Sequence, residues 1–274
     1  MISIDFDYYK PENIQEACDL MARFKTEKTN AVYYAGGTEV VSFIRKGTLK
    51  AKAVIDLKGI EEMAEIHANE DHVFVGANVS LNQAADFKPL EPMKAVLNKI
   101  GDRTIRNTLT IGGNICGKLP YREAILPLLA SDANVIIAGE EGLSEKKLSE
   151  VFDMRLKLSG SEFVYGFSIP RNDQIKMYSK RIQSDIPIDY PILHLVGRWA
   201  EDRLFIGLSG FAGVPRYQWI EKDEFDQWQT PIDKLIGKFA SMAKEDDRAG
   251  AEYRVHLLEY LLEDMLGGME NDQL

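Results

Sequence analysis

Two glycine pairs carry the chemistry for which this sequence can be read. Gly112 and Gly113 follow a β-type run inside TIRNTLTIGGNICGKLPYREAILPLLASD, residues 104–132, and precede Asn114. Gly36 and Gly37, in AGGTEVV at 35–41, follow the strand-like run 31–34. Glycine tolerates positive φ and lets another group approach the backbone closely. N–H groups exposed in such a turn form a small anion-binding concavity. Two strand–Gly-Gly–polar elements in one chain point to a ligand with two phosphates, or to a long ligand held at two points. Taken singly, each pair also reads as a plain turn.

Other chemistries find no support. G-x-S-x-G, G-x-x-x-x-G-K-[ST] and G-x-G-x-x-G are all absent, so a nucleophile elbow, a phosphate loop and a Rossmann site are not expected. Two cysteines, Cys18 and Cys116, are too few for a four-cysteine zinc or iron–sulfur site. The four histidines show no metal-ligand spacing, and no metal or nucleophile is assigned. Any redox or group-transfer chemistry would then come from a bound cofactor, with the protein supplying position and electrostatics. A net charge of −10 without a basic cluster argues against nucleic acid. The opening MISIDFDYYKPEN has neither the charge nor the apolar core of a signal peptide. No apolar run is long enough to span a bilayer. Few cysteines and no such signals lead to an expected cytoplasmic location.

The elements that must position the glycines follow from the pattern. A helix is expected over 11–24, with Pro11 at its start and Ile14, Ala17, Cys18 and Met21 on one face. Thr38 is expected to cap a short helix over 39–45 closed by Gly47, which puts the first pair at a helix N-terminus suited to an anion. Strands are expected over 53–57, 73–77, 134–138 and 163–169, and helices over 81–87, 89–100 and 122–130. Beyond Arg171, strands over 174–182, 192–200 and 203–209 precede helices over 231–244 and 250–266. The last helix presents Tyr253, Leu257, Leu258, Leu261 and Met265 on one face. A sheet followed by helices reads as a separate α+β unit, with a boundary near 170.

AGGTEVV at 35–41, IRNTLTIGGNICGKLPYRE at 105–123 and LLASDA at 128–133 together resemble the FAD-binding subunit or domain of the molybdenum hydroxylases, such as xanthine, carbon monoxide and nicotinate dehydrogenases. Weaker likenesses in VIDLKGI (54–60), VGANVS (75–80), FSIPR (167–171), KRIQSDI (180–186) and AEYRVHLLEYL (251–261) extend it over nearly the whole chain. The resemblance implies an α+β fold. A two-part FAD-binding domain of the PCMH-like type would occupy 1–170, with subparts of about 1–57 and 58–170. A C-terminal α+β domain with a three-stranded antiparallel sheet and helices would occupy 171–274.

The resemblance also implies a set of FAD contacts. Tyr33, Tyr34, Ala35, Gly36, Gly37, Thr38, Glu39 and Val40 would form the first pyrophosphate loop. Thr110, Ile111, Gly112, Gly113 and Asn114 would form the second, with the N–H groups of its last three residues near the phosphates. Gly117 matches a position near the cofactor. Glu123 stands where the family has an aspartate that contacts the adenosine half. Val164 and Tyr165 match a strand touching the flavin or adenine end. Lys180, Arg181 and Asp185 fall in a charged cluster near the isoalloxazine. Departures are Leu119-Pro120 for Asp-Pro or Ser-Pro, Met177 for a lysine, and Glu39 and Glu123 for aspartates. On the residues alone, Arg103 and Arg106 also read as surface charges, Glu123 as a helix-start residue, and Lys180 and Arg181 as a solvated strand edge.

The implied function is an electron-transfer flavoprotein subunit. Its partners would be a large molybdopterin-binding subunit and a small subunit with [2Fe–2S] clusters, and NAD⁺ or another acceptor would receive the electrons. Two further readings stay open. One is a stand-alone FAD-dependent oxidoreductase with the C-terminal unit as a substrate cap. The other is a non-catalytic scaffold that has lost flavin.

Overall fold

The computed structural model describes residues 4–171, 175–186 and 189–270. The chain folds into two compact units. The first comprises Met1–Leu90, Arg103–Lys118 and Ser131–Arg171, and the second comprises Glu91–Asp102, Leu119–Ala130 and Asn172–Leu274.

The first unit holds two sheets. In one, Asp7–Tyr9 and Ala31–Tyr34 flank Ala53–Asp56 in parallel. The central strand, Ala-Val-Ile-Asp, is buried along its whole length, as a parallel strand covered on both faces must be. The helix Ile14–Thr26 packs against this sheet through Ala17, Cys18, Met21 and Phe24. It starts later than Pro11 predicts, because the Asn13 side chain accepts the Glu16 N–H and takes the cap position.

The other sheet is antiparallel, in the order Ile66–Ala68, His72–Gly76, Phe163–Pro170, Asn134–Gly139, Gly142–Lys147. Ser80 opens the helix Leu81–Asp86 with a full capping box to Gln83.

The stretch expected to run β-type into Gly112-Gly113 is two short helices, Arg103–Thr108 and Ile111–Cys116. Two residues between these helices still make a strand-like contact. Leu109 and Thr110 form one short bridge: the Leu81 N–H donates to the Leu109 carbonyl at 2.8 Å, and Ser80 pairs with Thr110. Thr110 then caps the second helix, its hydroxyl accepting the Gly113 N–H at 3.1 Å.

The second unit is built on a four-stranded antiparallel sheet, in the order Arg216–Glu221, Arg203–Ser209, Leu193–Ala200, Tyr178–Ile182. Three strands were expected; Arg216–Glu221 is the fourth, its pattern half-hidden by Arg216, Gln218 and Glu221. The strand expected from 174 begins at Tyr178, and residue 174 lies outside the described residues. Leu204, Ile206 and Leu208 share a core with Leu235 and Phe239 of the helix Pro231–Phe239 and with Leu258, Leu261, Leu262 and Met265 of the helix Ala251–Glu270. Strand alternation turns Gly207 the other way, toward Leu126 of the helix Ile125–Ala130.

The long C-terminal helix differs from expectation on its inner face. Tyr253 is 49% exposed, while Arg254 is fully buried. The Arg254 guanidinium donates to the carbonyls of Ile192, Gly210, Lys244 and Ala249 and to the Asp246 carboxylate.

Candidate functional site

The first glycine pair sits where the strand Ala31–Tyr34 gives way to the helix Thr38–Arg45. Gly37, at φ +74°, takes the cap position expected for Thr38, a left-handed conformation that glycine adopts without steric cost. Among the described residues no side chain caps this N-terminus. First-turn N–H groups have no carbonyl four residues back, and the helix end favours an anion.

The loop is braced from behind. Lys58 Nζ donates to the Ala35 carbonyl at 2.9 Å and to the two Asp56 oxygens at 2.8 and 2.9 Å. It also lies 4.1 Å from the centre of the Tyr34 ring. A trans peptide points its C=O and N–H in opposite directions, so holding the Ala35 carbonyl fixes the direction of the Gly36 N–H. Asp56 is buried and also accepts the Tyr8 hydroxyl, a bond that pushes the Tyr8 phenol up to about 12.

The second pair works differently. The N–H groups of Gly112, Gly113 and Asn114 are engaged within the protein, with the Ala77 carbonyl at 3.0 Å, Thr110 Oγ1 at 3.1 Å and the Thr110 carbonyl at 2.9 Å. What the glycines supply is closeness. A Cβ on Gly112 would lie 2.9 Å from the Ala77 carbonyl oxygen, and one on Gly36 would lie 2.0 Å from the Thr108 carbonyl oxygen. Bare backbone at Gly36 lets the first loop press on Thr108, and bare backbone at Gly112 lets the second press on Ala77. Glu39 ties the two together further, its carboxylate accepting the Lys118 N–H.

The I-R-N triplet ahead of the second pair is a clamp. Arg103 is exposed and pairs with Asp86 at 3.1 Å. Arg106 is not a surface charge: it is 8% exposed and donates to Asn82 Oδ1 at 3.0 Å, while Asn82 Nδ2 donates to Asn107 Oδ1 and to the Arg103 carbonyl.

Both pairs open on one cavity of about 270 Å³ inside the first unit. Of the expected residues, Tyr33 to Val40, Thr110, Gly112, Gly113, Gly117 and Val164 line it. Ile111, Asn114 and Tyr165 are neighbours of wall residues and are not in the wall themselves. Much of the remaining wall is apolar, including Phe43, Leu49, Leu57, Met63, Leu158 and Phe163. Lys118, next to Gly117, lines it as well, and two further polar residues were missed, Asn78 and Glu162. Each lies just outside a strand, after His72–Gly76 and before Phe163–Pro170, and strand ends were the available signal. Asn78 Nδ2 donates to the Leu57 carbonyl at 2.9 Å, while its Oδ1 is buried with no partner among the described residues.

The other expected residues belong to the second unit. Asp185 is exposed, and Lys180 pairs with Asp264 at 3.1 Å on its surface. Glu123 and Arg181 are inside. The Glu123 carboxylate is met by Arg181 Nε at 2.8 Å and His194 Nδ1 at 2.7 Å. His194 Nε2 lies 3.0 Å from Ser179 Oγ, and Lys99 Nζ donates to the Ser179 carbonyl. Burial opposes the charge on Glu123, but the His194 hydrogen bond and the Arg181 charge outweigh it and hold its carboxyl below the usual range. Burial also lowers His194, against the pull of Glu123. A neutral imidazole then donates from Nδ1 to Glu123 and accepts from Ser179 at Nε2. Glu123 is thus neither a free helix-start charge nor, here, an open acceptor.

Among the described residues no helix is long and apolar enough to cross a membrane, and no group of three or more His, Cys, Asp or Glu could hold a metal ion.

Residues 4–172 match the family described as FAD binding domain in molybdopterin dehydrogenase. The chain belongs to this family. FAD is the family's cofactor, and the cavity fits it: an uncapped helix end for phosphate, glycines that leave backbone bare, apolar walls for rings, and the unmatched Asn78 oxygen for a donor. The chain is 28% identical over 153 residues to the nicotinate dehydrogenase FAD-subunit of Eubacterium barkeri, covering 54% of this chain and 51% of that one. It is 25% identical over 186 residues to the glyceraldehyde dehydrogenase medium chain of Sulfolobus acidocaldarius, covering 65% and 64%. The matched region is therefore about half to two thirds of these relatives' own length. A chain of CO dehydrogenase from Oligotropha carboxidovorans shares the fold, with TM-score 0.82 at 21% identity over 96% of this chain and 97% of that one.

Proposed function

We propose that this member of the family is the FAD-carrying electron-transfer subunit of a molybdenum hydroxylase of the xanthine dehydrogenase type. One observation carries the reading. Two glycine pairs 76 positions apart in sequence, at Gly36 and Gly112, converge on one cavity with an uncapped helix N-terminus in its wall. FAD, when bound, supplies reversible uptake and release of electrons. The residues of this chain do the rest: the Thr38–Arg45 helix end and the Gly36 backbone meet the pyrophosphate, Lys58 and Asp56 hold that backbone in place, and Phe43, Leu49 and Phe163 exclude water.

With two cysteines the chain has no ligands of its own for a four-cysteine cluster. Electrons would arrive from [2Fe–2S] clusters on a small partner, which are fed by a large molybdopterin-binding partner, and would leave to NAD⁺ or another acceptor. The relatives that carry FAD-subunit and medium-chain names support that division of labour. The free thiols Cys18 and Cys116 suit a cytoplasmic setting.

The test is a visible spectrum of the purified chain before and after FAD addition and gel filtration, followed by co-purification with candidate partners. Retained flavin absorbance that NADH bleaches in the assembled complex is the expected result. A chain that retains no flavin with or without partners would sink the proposal.

A further inference from the structure

Glu123, the carboxylate expected at the adenosine half, is occupied by His194 and Arg181 in the second unit. The cavity has two carboxylates in its described wall, Glu39 and Glu162. Glu39 is committed to the Lys118 N–H. Among the described residues Glu162 is held by one oxygen alone: Oε2 accepts the Ser159 N–H at 2.7 Å and the Ser159 hydroxyl at 3.0 Å. That double contact, made by a residue three positions back, fixes the plane of the carboxylate and leaves Oε1 over.

A fixed carboxylate oxygen selects its ligand chemistry. It accepts from hydroxyl or amino groups and repels phosphate. Beside Glu162 in the wall stand Leu158, Phe163 and Val164, and Tyr33 packs on Phe163 with ring centroids 5.1 Å apart. These are surroundings for a flat, uncharged ring with hydroxyls at its edge. The electron-carrying ring of FAD must stay within reach of donors and acceptors, whereas the redox-inert adenosine is free to be enclosed.

Resting on the FAD reading, we propose that Glu162 is the carboxylate that reads the adenosine end of the cofactor, Oε1 accepting from the ribose 2′,3′-diol. The same oxygen then acts against ligands carrying a 2′-phosphate, because that phosphate would be brought up to a carboxylate held in place by Ser159.

The test measures dissociation constants for FAD, ADP, FMN and adenosine 2′,5′-bisphosphate on the full-length wild type, E162A and E162Q, by flavin fluorescence and competition. E162A should weaken FAD and ADP about tenfold, the scale of one hydrogen bond to a charged group, and leave FMN unchanged. E162Q keeps an oxygen for the Ser159 turn but loses the charge. It should bind adenosine 2′,5′-bisphosphate more tightly than the wild type does, a gain that a merely structural role would not produce. Wild-type affinity for FAD and ADP in E162A, or a loss that falls equally on FMN, would overturn the assignment. Wild-type protein that binds no FAD would instead remove the cofactor reading, and the assignment with it.

Discussion

At the scale of single residues, alanine should destabilise two kinds of glycine in this chain for different reasons, and only one of the two losses should reach the cofactor site. Gly112 lies where a Cβ would meet Ala77 backbone at 2.9 Å, so the two segments must part. Gly47 has nothing within 4 Å of its would-be Cβ but sits at φ +72°. G47A should cost about 1–2 kcal/mol through backbone strain alone and leave flavin binding intact. G112A should cost about 1–3 kcal/mol through overpacking and reduce FAD affinity as well, because it moves the cavity wall. Thermal melts with and without FAD separate the two. Equal FAD-induced shifts in both variants would show that the close approach of Gly112 to Ala77 does not matter to the site.

His194 gives a pH prediction at the same scale. Glu123, Arg181, Ser179 and Lys99 face it from the surrounding elements. Burial holds its folded pKa below the ordinary value of 6.5, so the unfolded chain takes up the proton first as pH falls. The stability it contributes is complete above about pH 6.5 and is lost as pH drops through the window beneath. Glu123, held below the usual carboxylate range, adds its own loss only at lower pH. Tm should therefore fall between about pH 7.5 and pH 5.5. H194Q should be less stable at pH 8 yet show a flatter slope across that window. An unchanged slope in H194Q would assign the titration to another group.

At the scale of elements, the helix Ala251–Glu270 is fastened by Arg254 as much as by its leucines. One guanidinium satisfies four carbonyls on three separate segments and a carboxylate. R254M fills similar space and strands those acceptors in the interior, at a cost of about 3–5 kcal/mol. R254K should recover little, since an ammonium cannot reproduce the planar fork. Denaturant titration of both variants measures this, and near-wild-type stability in R254K would reduce Arg254 to a simple charge.

The same helix shows where sequence reading ran out. Its apolar spacing placed Leu258, Leu261 and Met265 inward, but periodicity counts apolar residues and cannot mark an arginine as core. The strand Arg203–Ser209 and the Ser80 cap were legible because alternation and capping are local signals. The 104–111 run was not: Ile105, Thr108 and Ile111 favour strand on propensity, and the Asn82 clamp and Ser80–Thr110 bridge override that preference from distant positions. In the site, the glycines were visible by type. Asn78 and Glu162 became visible only once the strand ends were placed, since nothing local separates them from other polar residues.

At the scale of the whole molecule, the order of the chain and the order of its cores disagree. Sequence composition suggests a break near 170, yet the second compact unit includes Glu91–Asp102 and Leu119–Ala130. The helix Ile125–Ala130 is buried at every position and packs on the strands Leu193–Ala200 and Arg203–Ser209. A fragment of residues 1–171 would keep that helix and lose both strands. It would expose Ile125, Leu126, Leu128 and Leu129, each worth about 1.5–3 kcal/mol of burial, and leave Glu123 without His194 and Arg181. The glycine pairs and the cavity wall remain in the fragment, so the site is present in sequence while its covalent surroundings are not. The fragment should therefore bind a hydrophobic dye, sediment as aggregates and melt without a cooperative transition, whereas the full chain melts cooperatively. If it were instead monomeric, with a sharp melt and full FAD retention, the 119–130 segment would be dispensable, and the first unit would stand as an independent FAD-binding domain.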